Sequence, residues 1–210
     1  MKILISIITS KKFSDSRLKF IRSTWLNDVE NFCLISDEDD TTNLIYQATT
    51  DDSYESNVEK NFESFKILQK NFPDFDWYMN LDDDTFLNFE NLKKELSNFS
   101  LDEIFILGHI NQGTFPEDPS LNYCSGGAGY VFNNKTLKKL VNIDKSYNRS
   151  RYADVNIGIF CRENNIPILG CSKFNPLAPL NSQDIIQNIS YHYIFNSKFE
   201  ELYSLINRNI

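Results

Sequence analysis

Long apolar runs, glycine, proline and surplus positive charge are all scarce in this 210-residue chain. No stretch approaches the roughly 20 consecutive apolar residues that a membrane-spanning helix needs, so the sequence predicts no membrane span. With only 7 Gly and 6 Pro, the chain has no segment typical of a flexible linker, a low-complexity tract or an internal repeat. Its net charge of -8 argues against nucleic acid as a partner, because such proteins usually carry a basic face. We therefore expect a single domain with one core.

Cysteine is also sparse, and its spacing argues against the common zinc sites. The four cysteines form no CxxC pair. Cys161 and Cys171 flank a short turn and could bridge in an oxidising compartment, whereas buried free thiols are the alternative. The sequence leaves this pairing open.

Apolar strand-like segments alternate with helical patterns along the chain. The spacing predicts strands at residues 3–8, 32–35, 43–48, 103–108, 166–169 and 189–195, with a further strand that ends at the acidic residues 82–84. It predicts helices at residues 17–22, 54–71, 88–99, 151–164 and 198–206, with another that is capped by Asn133 or Asn134. This alternation predicts an α/β fold with a mostly parallel central sheet and helices on both faces.

Three consecutive carboxylates end the strand that begins near Trp77: Asp82, Asp83 and Asp84. Ligands collect at the carboxyl ends of strands in open α/β sheets. Mg²⁺ and Mn²⁺ prefer oxygen ligands and share their coordination with substrate phosphates. Because adjacent like charges are tolerated either in open solvent or around a cation, the residues alone leave a solvated acidic turn and a metal site about equally open.

Three of the glycines concentrate in residues 122–131, just before a predicted helix. Paired glycines such as Gly126 and Gly127 indicate a tight turn or a close approach of the backbone to a ligand, and both readings hold together.

These two motifs together resemble a known family. DWYxxLDDDT at residues 76–85, followed by YxSGGAGYV at residues 123–131, resembles the Fringe and mucin-core β1,3-galactosyltransferase family. Further matching segments run in the family's order, at residues 17–18, 24–25, 60, 154–158 and 190–193. The resemblance spans nearly the whole chain, and the pairing of DDDT with SGGAGYV is its most specific part.

The resemblance implies a single-domain glycosyltransferase A-type, Rossmann-like α/β fold over residues 1–210. Residues 1–84 would be mainly the nucleotide-binding half and residues 85–210 mainly the acceptor and catalytic half. The implied reaction moves galactose or N-acetylglucosamine from a UDP-sugar to a hydroxyl of a glycan or glycoprotein acceptor, in β1,3 linkage with inversion. Mn²⁺ is the implied cofactor, with Mg²⁺ as the alternative, and UDP-galactose is favoured as donor.

The resemblance also assigns site residues. It implies that Asp84 and His192, together with Asp82, hold the metal, whereas from the residues alone His192 is a partly buried histidine within a strand. The residues implied in donor binding are Thr9, Arg17, Ser36, Asp37, Lys60, Asp82, Asp83, Ser125, Gly126 and Gly127. Taken singly, the cations among them are also typical of a charged surface.

Asp154 matches the position of the family's general base, which takes the proton from the acceptor hydroxyl. From the residues alone it is also a candidate helix N-cap. Many relatives carry a second acid beside this position, where this chain has Ala153. The missing charge predicts a lower pKa for Asp154 and therefore a weaker base.

Two questions stay open from the sequence. A non-catalytic UDP-sugar or glycan-binding module, or a chaperone-like partner of an active enzyme, is the alternative to an enzyme. The compartment is also undecided, because relatives usually lie in the Golgi lumen behind an anchor, whereas a complete chain without one indicates the cytoplasm.

Overall fold

A seven-stranded sheet forms the centre of the protein, whose computed structural model describes residues 1–113 and 118–208. In spatial order its strands are β10 (Ile168–Gly170), β6 (Ile106–Gly108), β9 (Tyr130–Asn133), β4 (Trp77–Asp82), β1 (Ile3–Ile8), β2 (Phe32–Ser36) and β3 (Ile45–Gln47). Two small sheets flank it: β11 (Phe174–Asn175), β12 (Ser190–Tyr191) and β5 (Phe86–Leu87), and the pair β7 (Ile110–Gln112) and β8 (Asn122–Cys124).

The central sheet is mostly parallel, as the sequence predicts. Strand β1 pairs in parallel with both β2 and β4, whereas β9 runs antiparallel between β4 and β6. The register places Ile8 beside Asp82, so the carboxyl ends of β1 and β4 meet at one edge of the sheet. That edge is where ligands bind in open α/β sheets.

Six helices cover the two faces of the sheet within the described part of the chain. They are α1 (Arg17–Arg22), α2 (Asn57–Asn71), α3 (Phe89–Leu96), α4 (Asn134–Leu140), α5 (Ala153–Glu163) and α6 (Lys198–Asn207). Asn133 is the N-cap of α4, because its side chain accepts a hydrogen bond from the Thr136 amide, and Asn88 caps α3 in the same way.

Alternation along β1 divides the core into two hydrophobic layers. Ile3, Ile5 and Ile7 pack into the layer that contains α1, α3 and α6, whereas Leu4 and Ile8 pack into the layer that contains α2, α4 and α5. Full burial of each such side chain contributes roughly 1.5–3 kcal/mol, and this explains why the strand reads as nearly continuous apolar sequence.

The strand predicted at residues 189–195 is wrong in extent, since only Ser190–Tyr191 is a strand. Tyr193 adopts φ of 57° and Asn196 φ of 50°, and this left-handed backbone cannot continue an extended strand. The strands predicted from residues 43 and 103 are shorter than expected and begin at Ile45 and Ile106.

None of the helices in residues 1–113 and 118–208 is long and apolar enough to cross a membrane. All four cysteines are free thiols in this structure, and Cys33, Cys124 and Cys161 are buried.

Candidate active site

The three consecutive aspartates lie where β4 ends beside β1, and they are withdrawn from solvent rather than displayed on a turn. Asp83 is 3% exposed and Asp84 is 6% exposed, whereas Asp82 is half-buried. Burying like charges together is unfavourable unless each finds a partner. Of the two readings left open by the sequence, the solvated turn is therefore wrong.

Asp83 is fully occupied by contacts within the protein. The Thr9 hydroxyl donates to its Oδ2 at 2.8 Å, and Arg17 Nη1 donates to its Oδ1 at 2.7 Å. Burial raises the pKa of Asp83, although Arg17 and Thr9 counteract part of that effect. Both oxygens are committed, so Asp83 is better suited to orienting Arg17 than to binding a ligand directly.

Asp84 presents a buried oxygen to an imidazole. Its Oδ1 makes no well-aligned hydrogen bond, although His192 Nε2 lies 3.0 Å away in an ion-pair contact. One ligand atom each from Asp82, Asp84 and His192 lie within 4.8 Å of one another. A buried carboxylate oxygen beside an imidazole and a second carboxylate is a donor set that fits a divalent cation such as Mn²⁺.

The pKa values of Asp82 and His192 are both raised in this cluster. Burial and the neighbouring Asp84 raise the pKa of Asp82 to about 7. Burial opposes charge on His192, but the contact with Asp84 outweighs it, so the pKa of His192 is raised.

The small sheet of β11, β12 and β5 brings His192 to the acids. Tyr191 pairs with Phe86, two residues after Asp84, and the Ile194 amide donates to the Asp84 carbonyl at 2.9 Å. The left-handed backbone at Tyr193 lies between these two contacts. The break in the predicted strand therefore coincides with the turn that carries His192.

The glycine turn fits around the same histidine. A Cβ on Gly127 would lie 2.1 Å from His192 Cε1, so only glycine is accommodated there. The Thr85 hydroxyl donates to the Gly127 carbonyl at 2.5 Å, and the Ser190 hydroxyl donates to the Ala128 carbonyl at 2.5 Å. These two hydrogen bonds tie the acidic turn, the glycine turn and the histidine segment together.

Asp154 lies in the first turn of α5 and faces the glycine turn. The Gly126 amide donates to its Oδ2 at 3.2 Å, and the Val155 amide donates to its Oδ1 at 2.9 Å. Tyr152, not Asp154, is the N-cap of the helix. Burial raises the pKa of Asp154, although the residue as a whole keeps some solvent contact. The expected effect of Ala153 relative to relatives with a second acid stays a prediction, since the raised pKa is relative to an ordinary aspartate and burial is its main cause.

Two adjacent cavities meet at the acids. The first cavity, of about 380 Å³, is lined by Thr9, Arg17, Lys60 and the three aspartates among others. The second cavity, of about 300 Å³, is lined by Ser125, Gly126, Gly127 and Asp154 among others. Both cavities share five lining residues: Tyr54, Asn57, Asp82, His192 and Tyr193.

Ser36 and Asp37 lie behind the first cavity rather than on its wall. Asp37 accepts hydrogen bonds from the Ser10 hydroxyl at 2.7 Å and the Lys11 amide at 2.9 Å, and Lys60 Nζ lies 3.6 Å away. Lys60 also donates to the Thr9 carbonyl at 3.0 Å. Within this structure Ser36 and Asp37 therefore support the cavity wall that Lys60 and Thr9 form, and their predicted contact with a donor stays a prediction.

Several lining residues were not predicted from the sequence. The first cavity adds Lys12, Phe13 and Ser53, the second adds Asn111, Arg151, Tyr152 and Leu177, and Tyr54 and Tyr193 line both. Position next to a predicted site residue is the signal that could have indicated Arg151, Tyr152 and Tyr193. Nothing comparable singles out Tyr54 or Asn111, which approach the site only through folding.

A family model described as Fringe-like matches residues 1–202. Human chondroitin sulfate synthase 3 is 24% identical over 153 residues, which are 65% of this chain and 17% of that protein. Mouse beta-1,3-glucosyltransferase is 22% identical over 183 residues, which are 86% of this chain and 37% of that protein. Glycoprotein-N-acetylgalactosamine 3-beta-galactosyltransferase 1 of Xenopus laevis is 35% identical over 71 residues, which are 31% of this chain and 17% of that protein. The chain thus spans at most 37% of the length of these three relatives.

Solved structures show the same architecture. The galactosyltransferase LgtC in complex with donor and acceptor sugar analogs aligns with a TM-score of 0.58 at 14% identity, covering 98% of this chain and 95% of that one. A glycosyltransferase involved in glycosylation of the major capsid of PBCV-1 aligns with a TM-score of 0.55 at 13% identity, covering 99% and 100%. Likeness at this identity establishes the fold, which is glycosyltransferase A-type as the sequence resemblance implied.

Proposed function

The chain belongs to the Fringe-like family and is a glycosyltransferase, and from that premise we propose that it moves a hexose from a UDP-sugar to a glycan hydroxyl with inversion. The observation that carries the proposal is the junction of the two cavities. The cluster of Asp82, Asp84 and His192 lies at that junction, and Asp154 lines the second cavity.

The first cavity is assigned to the UDP-sugar. It lies at the carboxyl ends of β1 and β4, and every lining residue except His192 and Tyr193 comes from residues 1–84. This distribution supports a nucleotide-binding half at residues 1–84 and an acceptor and catalytic half at residues 85–210. Arg17 and Lys60 supply positive charge toward the diphosphate, since a guanidinium and an ammonium are the usual partners of phosphate.

A divalent cation, Mn²⁺ by preference, is assigned to Asp84, His192 and Asp82. When bound there it neutralises charge on the departing diphosphate. Asp84 is the main ligand because its buried Oδ1 makes no well-aligned hydrogen bond and lies 3.0 Å from His192 Nε2. Asp83 orients Arg17 instead, because both of its oxygens already accept hydrogen bonds.

Asp154 is assigned as the general base. Inversion requires the acceptor hydroxyl to attack the anomeric carbon from the face opposite the leaving UDP, and a base must take the hydroxyl proton. The amides of Gly126 and Val155 fix the orientation of the carboxylate, and burial raises its pKa, which strengthens it as a base.

Linkage and donor are the finer parts of the proposal. The names of the mouse and Xenopus relatives both specify a β1,3 or 3-beta linkage, which supports β1,3 transfer here. Those names differ in the sugar, so galactose is proposed as the first donor to test, with N-acetylglucosamine as the second.

A donor screen tests the proposal. Thermal unfolding of the purified chain is measured with UDP-galactose, UDP-N-acetylglucosamine and UDP-glucose, each with and without Mn²⁺. We expect one donor to raise the melting temperature only when Mn²⁺ is present, since a ligand that binds the native state stabilises it. Equal melting temperatures for all donors with and without Mn²⁺, together with no hydrolysis of any donor, would overturn the proposal.

A further inference from the structure

The second cavity contains one Arg or Lys side chain among its described lining residues, namely Arg151. The other ionisable acid and imidazole groups on that wall are the carboxyl groups of Asp82 and Asp154 and the imidazole of His192, which contacts Asp84. Arg151 immediately precedes Tyr152, which is the N-cap of α5. Asp154 follows three residues after Arg151. A cation at this place faces whatever molecule approaches Asp154.

The guanidinium of Arg151 has no carboxylate partner within residues 1–113 and 118–208. In contrast, Arg149 pairs with both oxygens of Glu163, at 2.6 and 3.2 Å, and Arg162 pairs with Asp118. Acidic residues outnumber basic ones by 29 to 21 in this chain, so partners are abundant. An arginine that faces a cavity and is left unpaired in an acidic protein is available to an anion from outside.

Two tyrosine rings hold this guanidinium in place. The Cζ atom of Arg151 lies 5.7 Å from the ring centroid of Tyr54 and 5.3 Å from that of Tyr152. Contact with aromatic faces restrains a guanidinium while leaving its edge donors free for hydrogen bonds. A side chain that is already ordered before binding loses less conformational entropy when a ligand binds, so the entropic cost of binding is smaller.

The anion is not the diphosphate of the donor. Arg151 does not line the first cavity, where Lys12, Arg17 and Lys60 already supply cations at the ends of β1 and β4. The remaining substrate is the acceptor, which must bring a hydroxyl to Asp154 through the second cavity. Resting on the proposed function, we infer that Arg151, held between Tyr54 and Tyr152, binds an anionic group, a carboxylate or a sulfate, on the acceptor glycan.

Binding of simple glycosides tests this inference on the full chain. NMR titrations compare methyl β-glucuronide with methyl β-glucoside, and methyl β-galactoside 6-sulfate with methyl β-galactoside, all with Mn²⁺ and UDP present. We expect at least one anionic glycoside to bind about tenfold or more tightly than its neutral parent, as a charge-assisted bidentate contact would give. The two pairs distinguish a carboxylate from a sulfate.

Arg151→Gln is expected to abolish this preference, whereas Arg149→Gln, which removes a neighbouring arginine that lines neither cavity, retains it. Arg151→Lys should keep only part of it, because an ammonium lacks the planar fork of donors. Unchanged melting temperatures establish that the variants are folded. A wild-type chain that binds each anionic glycoside no better than its parent, or a preference that persists in Arg151→Gln, would overturn the inference.

The same titrations keep the two proposals apart. If UDP binding depends on Mn²⁺ but neither anionic glycoside is preferred, the inference about Arg151 fails and the proposed function stands. If Arg151 confers a preference for an anionic glycoside while no UDP-sugar is bound or turned over, the proposed function fails and the anion site remains supported.

Discussion

The two cavities differ in how their charged side chains are satisfied. Around the first cavity, Arg17 is paired with Asp83, Lys60 with the Thr9 carbonyl, and Lys12 with Asp52. At the second cavity, Arg151 lies over the rings of Tyr54 and Tyr152 and has no carboxylate partner among the described residues, and Tyr152 and Leu177, which line this cavity alone, are exposed. The cations of the first cavity are therefore held by polar contacts within the protein, whereas Arg151 at the second cavity is not paired with a carboxylate.

This difference has a physical basis in the elements that build each region. Part of the wall of the first cavity lies at the carboxyl ends of the adjacent parallel strands β1 and β4, whose backbones are paired in the central sheet. The wall of the second cavity is assembled from the start of α5, the glycine turn and the segment after β11. Preorganised polar groups suit a constant ligand such as a nucleotide diphosphate, whereas exposed rings and an unpaired cation suit recognition of a variable glycan.

Asp84→Ala should have the largest effect on the first cavity, because Asp84 belongs both to the cation cluster and to the lining of that cavity. We expect Mn²⁺-dependent UDP binding and sugar transfer both to fall to background. Calorimetric titration with UDP and Mn²⁺, alongside a transfer assay, measures this. Asp74→Asn, which changes an exposed aspartate in the turn before β4, is the matched control and should behave as wild type. Wild-type turnover in Asp84→Ala would remove Asp84 from the site.

Asp154→Asn should impair sugar transfer without impairing UDP binding. The amide keeps the shape of the carboxylate but cannot take a proton, so we expect transfer to fall by roughly 10²- to 10⁴-fold. UDP binding should persist, because Asp154 does not line the first cavity. Comparing kcat with the dissociation constant for UDP measures both effects. A variant that transfers sugar at the wild-type rate would contradict the assignment of the base.

Gly127→Ala probes the boundary between the cavities. The added methyl group would lie 2.1 Å from His192 Cε1, so the imidazole must move and its alignment with Asp84 must change. We expect weaker Mn²⁺ binding and a loss of about 1–3 kcal/mol in the free energy of unfolding. Gly126→Ala is the control, since its Cβ would make an ordinary contact of 3.5 Å with Asp154 Cβ. Equal Mn²⁺ affinity and stability in both variants would contradict the steric argument.

Substitution of Asp37 should have the smallest effect of these variants, and it tests how much the contacts of its carboxylate contribute to stability. Burial opposes its charge, but hydrogen bonds from Ser10 and the Lys11 amide, with Lys60 nearby, lower the pKa of Asp37 to about 2 from its ordinary 3.8. Because the folded-state pKa is lowered, its stabilisation is present above pH 3.8 and is lost as the pH falls through about 2.

We therefore expect Asp37→Asn to lower the free energy of unfolding by on the order of 1 kcal/mol at neutral pH. Urea unfolding of both proteins across the acidic range measures this difference, which should shrink below pH 3.8 and vanish below about pH 2. A difference that is constant over this range would show that the charge of Asp37 contributes nothing.

Much of the fold was predictable because its elements have strong periodic patterns. The apolar run of β1 and the helical spacing of Val58, Phe62 and Phe65 in α2 both appear as predicted. The antiparallel strand β9 was not predicted, because its partners β4 and β6 lie far away in the sequence and local pattern carries no information on pairing direction. The extent of the strand at Tyr193 was mispredicted for a similar reason, since the amides on either side of Tyr193, those of His192 and Ile194, bond to the distant Asn175 and Asp84.

By itself, the sequence determined the alternation of strands and helices, the motifs that place the chain in its family, and the residue types able to hold a cation and take a proton. Only the tertiary structure decided how those residues divide their work. Asp83 accepts hydrogen bonds from Thr9 and Arg17, the buried Oδ1 of Asp84 lies against His192 without a well-aligned hydrogen bond, and burial raises the pKa of Asp154. The physical reason is that pKa values and hydrogen-bond satisfaction depend on burial and on distant neighbours, and both arise only when the chain is folded.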